Sequence, residues 1–124
     1  MMSYRLVRAA SACAFVLCMM APCIPALAQD FPSRNVHIVV PLAAGSGMDV
    51  VTRIYAEELS KSLGKPVVVE NQPGAALMLA AQNVARAAPN GHTLVVASSP
   101  VMAVNPTLYK KVNYDGEKDF SPIS

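Results

Sequence analysis

The sequence predicts an α/β fold, the start of a doubly wound parallel sheet, on three observations. Its strand-like runs, Val36-His37-Ile38-Val39-Val40, Val67-Val68-Val69 and Thr93-Leu94-Val95-Val96-Ala97, are short and almost continuously apolar. Stretches with helical spacing separate them, and glycine or proline punctuates each junction. Continuous apolar strands linked by amphipathic helices belong to parallel sheets covered on both faces. Their crossovers are right-handed.

The first run stops at Pro41, as a buried β-branched strand does. Gly45-Ser46-Gly47 then breaks the chain. From Met48 to Leu63 the apolar residues Val51, Ile54, Tyr55, Leu59 and Leu63 recur at helical spacing, with Arg53, Glu57, Glu58 and Lys61 between them. Ser46 and Asp49 stand three apart, as in a capping box. Gly64 suits the left-handed residue that ends a helix, and Pro66 forbids its continuation. The second strand, Val67–Val69, leads into Glu70-Asn71-Gln72-Pro73-Gly74, and a second helix is expected from Ala75 to Ala87. Pro89-Asn90-Gly91 is a turn sequence before the third strand, Thr93–Ala97. Beyond Ser98, Asn105-Pro106 and Asn113-Tyr114-Asp115-Gly116 mark loops with at most a short helix between them. The chain stops at Asp119-Phe120-Ser121-Pro122-Ile123-Ser124 without a closing helix, and is read as truncated.

Residues 1–28 are expected to be a secretory signal peptide, cleaved after Ala28. Arg5 and Arg8 precede an apolar stretch from Ala9 to about Ile24, and Pro25-Ala26-Leu27-Ala28 supplies a small-x-small site. The stretch is shorter than the roughly 20 residues a membrane-spanning helix needs. Cys13, Cys18 and Cys23 all lie there, so residues 29–124 hold neither a disulfide framework nor a thiolate metal site. All 8 Asp and Glu lie beyond residue 28, and 2 of the 10 Lys and Arg lie before it. The remainder is formally neutral and lacks the basic face of a nucleic-acid-binding module.

In a parallel α/β sheet, ligands bind beyond the carboxyl ends of the strands. Three segments are expected there: Pro41–Asp49, Asn71–Leu77 and Ala97–Val101. Glycines entering a helix N-terminus offer free N–H donors and a partial positive charge, which suit a carboxylate or phosphate. A tight turn would need the same glycines, so the pattern alone leaves both roles open. The segment is not a G-x-G-x-x-G fingerprint, because Val50 replaces the third glycine, and no G-K-[ST] phosphate loop is present. Candidate ligand contacts are Ala43, Ala44, Gly45, Ser46, Gly47 and Asp49 in the first segment, Gly74 and Ala75 in the second, and Ser98 and Ser99 in the third. Asp49, at the third helical position, also reads as a capping carboxylate. His37 and His92 are expected to be structural or exposed, since neither has neighbours at metal-ligand spacing. No Ser/His/Asp or Cys/His set can be assembled without them. No catalytic residue, metal or cofactor is expected.

Six ordered motifs carry a resemblance. They are Phe31-Pro32-Ser33-Arg34; Val39-Val40-Pro41-Leu42-Ala43-Ala44-Gly45-Ser46-Gly47-Met48-Asp49; Val67-Val68-Val69-Glu70-Asn71-Gln72-Pro73-Gly74-Ala75; Ala87-Ala88-Pro89-Asn90-Gly91-His92-Thr93-Leu94; Asn105-Pro106-Thr107-Leu108-Tyr109-Lys110-Lys111; and Tyr114-Asp115 through to Ser124. Together they resemble the tripartite tricarboxylate transporter receptors, or Bug proteins, over residues 31–124. The resemblance implies a periplasmic-binding-protein-like (type II) domain, one of two that close on a small carboxylate held by loop backbone and water. It implies a monomeric periplasmic receptor for uptake or sensing, with a two-part membrane permease as partner in some members. Residues 29–124 would be the N-terminal part of the solute-binding domain, with the second domain absent. The family is commonly glycine-rich after Pro-Gly-Ala, where this chain has Ala76-Leu77-Met78. Leu77 and Met78 either narrow that side of the cleft or favour an apolar ligand body, or they only pack the second helix. Two other readings stand beside the receptor: an inactive truncated fragment, and an enzyme using the glycine-rich helix N-terminus as an anion site.

Overall fold

The computed structural model describes residues 30–123. The expected signal peptide, its three cysteines and the expected cleavage after Ala28 lie outside them. Strand β1 (Val36–Val40) is followed by helix α1 (Gly47–Leu63), strand β2 (Val67–Asn71), a left-handed turn at Ala75–Leu77, helix α2 (Met78–Ala85) and strand β3 (Thr93–Val95). A wide π-type turn, Pro100–Val104, then runs into the one-turn helix α3 (Asn105–Leu108). The sheet has the order β2-β1-β3 and is parallel throughout, with Val36 opposite Val67 and His37 opposite Thr93. The α/β expectation holds, and the solved relatives described below share it.

Both faces are covered at the central strand. Val39 and Val40 point to opposite sides of β1, and they are 2% and 0% exposed. Helix α1 lies against β2 and β1, and α2 lies against β3 and β1. A second cluster of Ala81, Val101 and Tyr114 joins α2 to the C-terminal segment, with Leu77, Met78, Met102 and Phe120 packed around it.

The start and end of α1 follow the expected chemistry. Ser46 is the N-cap, its Oγ accepting from the Asp49 N–H at 3.3 Å, and Gly64 closes the helix at φ 64°. Its buried face is not the expected one. Asp49, Thr52 and Ala56 are turned inward, whereas Ile54 and Tyr55 are 61% and 65% exposed, and Val51 and Leu59 are exposed too. Small side chains let the helix backbone sit close to the sheet. The inward hydroxyls are satisfied locally: Thr52 Oγ1 donates to Met48 O, and Ser60 Oγ donates to Ala56 O while accepting from Val67 N–H.

Four other boundaries differ from the sequence expectation, the first being that of α2, which runs over Met78–Ala85 instead of Ala75–Ala87 because Ala75–Leu77 form a left-handed turn. Strand β2 extends to Asn71, because Glu70 reaches across the sheet to His37 and Asn71 bonds to α1. Strand β3 ends at Val95, although Val96 N–H still donates to Val39 O at 3.0 Å. Asn105-Pro106 opens a helix instead of marking a loop, since proline is tolerated in a first turn where its missing N–H costs nothing.

Candidate carboxylate-binding edge

Parallel pairing sends the segments after β1, β2 and β3 to one edge of the sheet, with the β1 loop between the other two. Backbone bonds fix where they leave: Gln72 N–H donates to Val40 O at 2.8 Å, beside the Val96 bond to Val39. All ten sequence-predicted contact residues lie in these three segments. Ala43, Ala44, Gly45 and Gly47 are exposed, as are Gly74, Ala75 and Ser99, while Ser46 and Ser98 are half-buried.

Asp49 is the exception within the set, for it is only 3% exposed and turned inward. Its Oδ2 accepts from Gly45 N–H at 2.8 Å and Arg53 Nε at 3.1 Å. Its Oδ1 accepts from Asn71 Nδ2 at 2.9 Å and Arg53 NH2 at 3.0 Å. Four donors use the capacity of a carboxylate. The residue therefore buttresses the loop, and a ligand would meet the backbone that it holds. The Arg53 guanidinium first, then the Gly45 N–H and the Asn71 amide, hold the Asp49 carboxyl at about 2, below its ordinary 3.8.

A depressed carboxylate stabilises the fold above its unfolded pKa, and that contribution disappears as the pH falls through the folded value. Thermal unfolding followed by circular dichroism from pH 5 to pH 2 is expected to show Tm falling mostly below about pH 4. Asp49→Asn should remove that part of the slope. An unchanged pH profile in the variant would mean that other carboxylates carry the acid sensitivity.

The same network takes up some donors and leaves others. Gly45 N–H goes to Asp49, and Ser46 N–H goes to Ala43 O. Gly47 and Met48, the first two residues of α1, donate to no acceptor among the described residues. Beyond β3, Ser98 Oγ is buried without a hydrogen-bond partner among the described residues.

Asn71 ties the first two segments together. Its Nδ2 donates to Leu42 O at 3.0 Å as well as to Asp49, and its Oδ1 accepts from Arg53 NH2 at 2.9 Å. Sequence reasoning placed Asn71 in the second segment without this role. Its signal was an amide at the very end of an apolar strand. The turn beyond it is strained: Ala75, Ala76 and Leu77 have φ of 48°, 52° and 70°. Each L-residue in this region costs roughly 1–2 kcal/mol. Leu77 and Met78 pack onto the Ala81–Val101–Tyr114 cluster, as their packing role expects.

The histidines lie elsewhere. His37 Nδ1 is 2.6 Å from Glu70 Oε1 on the sheet face. His92 is buried near the amino ends of the strands, against Asn90 and the Phe31 ring, with Ser33 Oγ at 3.4 Å from Nε2. Among the described residues no three His, Cys, Asp or Glu side chains converge on a metal-sized site, and no helix is long and apolar enough to cross a membrane. A concavity of about 540 Å³ between Met102–Lys110 and Val112–Glu117 contains none of the ten candidate residues.

The parallel sheet, with loop backbone and hydroxyls at its strand ends, is of the kind found in periplasmic binding proteins. Structural comparison bears this out: the chain resembles the periplasmic binding protein BugD with a TM-score of 0.70 and 40% identity, covering 75% of this chain and 31% of that one. It resembles MatC from Rhodopseudomonas palustris, solved with bound malate, with a TM-score of 0.71 and 44% identity over 75% of this chain and 32% of that one. A UPF0065 protein of Bordetella bronchiseptica is 44% identical over 107 residues, 86% of this chain and 32% of the relative. Residues 51–124 match the tripartite tricarboxylate transporter family receptor. The chain belongs to that family, and it spans about a third of the length of the curated relatives it matches.

Proposed function

We propose that this chain supplies the N-terminal part of a periplasmic receptor that captures a small carboxylate and does not transform it. Residues 1–28 act as its export signal, and residues 29–124 form the first part of the solute-binding domain. Capture needs a second domain to close the cleft. The observation that carries this reading is the pair of free donors at the end of the central strand, the N–H groups of Gly47 and Met48 at the start of α1, with the segments after β2 and β3 on either side. Ala43, Ala44, Gly45, Ser46 and Gly47 face the ligand from one side, with Gly74 and Ala75, and Ser98 and Ser99, on the flanks. Asp49 serves from behind. Backbone donors on a helix N-terminus suit an anion without any lysine or arginine, and the malate found in MatC fits that class. The receptor acts as a monomer, serving either uptake through a two-part membrane permease or sensing.

The test is a chimera in which residues 30–123 replace the matching third of MatC. Isothermal titration with malate and other di- and tricarboxylates should show stoichiometric binding. A folded chimera that binds none of them, beside a parent that does, would refute the reading. The 124-residue chain alone is expected to bind far more weakly, because it carries one wall of the cleft. Its exposed Ile54 and Tyr55 and the open outer edges of β2 and β3 fit a domain that needs further chain to cover it.

A further inference from the structure

We propose that Asn105 is a positioning residue for this edge: its side-chain amide holds the Ala75–Leu77 backbone in the left-handed conformation. Asn105 is 3% exposed, and its Nδ2 donates to Ala76 O at 2.7 Å, the carbonyl at the centre of the strained run. Ala76 and Leu77 are good helix formers and gain nothing from a positive φ by themselves. The conformation therefore has to be imposed from outside the segment, and two contacts do so. One is the Asn105 amide; the other is the packing of Leu77 and Met78 on Ala81, Val101 and Tyr114.

The wide turn at Pro100–Val104 explains how Asn105 reaches its target. It carries the chain from Ser98 past the fully buried Val101, whose carbonyl accepts from the Tyr114 hydroxyl, and ends at Asn105. Gly116 permits this approach, since a Cβ there would stand 2.7 Å from Met102 O. Asn105 thus joins the segment after β2 to the segment after β3, as Asn71 joins the segments after β1 and β2. The role in ligand capture rests on the function proposed above. The geometric role does not.

The test uses the full chain without ligand. Asn105→Asp keeps the shape but loses the donor while ionised, and regains one when protonated. At pH 7 the ¹³Cα and ¹³Cβ resonances of Ala76 and Leu77 should leave their left-handed values, with β1 and α1 resonances native. Protonation of the new carboxyl, expected above about pH 4 because it is buried, should restore them. Left-handed shifts that persist at pH 7 would overturn the proposal. If Asn105→Asp unfolds the chain at pH 7, adding Ala75→Gly and Ala76→Gly should recover folding, because glycine needs no external hold; no recovery would overturn it equally. A chimera that fails to bind carboxylates would leave these resonances where they are, so the two readings fail separately.

Discussion

Replacing Asn71 with leucine is expected to be among the most damaging single changes at the strand-end edge, lowering stability by about 2–4 kcal/mol. The side chain is matched in size, so little of the loss is packing. What disappears is a set of three bonds: to the Leu42 carbonyl, to Asp49 and from Arg53. The carbonyl and the carboxylate are left short of donors, and the loop after β1 loses its tie to β2. For a domain of this size Tm should fall by about 10–20 °C, measured by thermal melts and checked by urea titration. Asn71→Asp should be no better, because it sets a second negative charge beside Asp49. A loss below about 0.5 kcal/mol, the range of ordinary surface changes, would show that the two loops hold their positions independently.

Gly47→Val in the chimera is expected to weaken carboxylate affinity at least about 100-fold, or roughly 2.7 kcal/mol, with native far-UV circular dichroism. A Cβ at Gly47 meets nothing within 4 Å, and the residue lies in the first turn of α1 with an ordinary backbone. The branched side chain would cover the two free N–H groups without disturbing the fold. Gly45→Val is a less clean probe. Gly45 has φ +82°, so a valine there strains the loop whatever space is available. Unchanged affinity in Gly47→Val would remove the N-terminus of α1 from the site.

The parts legible in the sequence were those fixed by local chemistry. Ser46, Gly64 and Pro66 bracket α1 because caps and breakers act through their own backbone, and the helix begins within one residue of its expected start. The face of α1 was not legible. Periodicity locates an apolar stripe, but which side meets the sheet depends on how closely the helix can approach, and Thr52 and Ala56 decided that. The left-handed turn at Ala75–Leu77 was hidden for a related reason. Alanine and leucine argue for helix at that point, and the opposing contact comes from Asn105, far along the chain. For the site, the three segments could be placed from strand order and glycine content. The inward turn of Asp49 could not, because beside its local i,i+4 pair with Arg53 it depends on Asn71 meeting it across a tertiary contact.

The sheet order has a consequence for how the chain assembles during synthesis. β1 emerges first and sits in the middle, so it is the earliest strand made and the last to be completed. Its partner in β2 arrives after one helix, but its partner in β3 arrives only after a second. At about 5–20 residues per second of translation, one flank of β1 stays open for roughly 1–5 seconds after the other has closed. Contacts between distant parts of a chain form late, so the β1–α1–β2 unit is the natural nucleus. The Ser98 side of the ligand edge is then the part that the nascent chain acquires last.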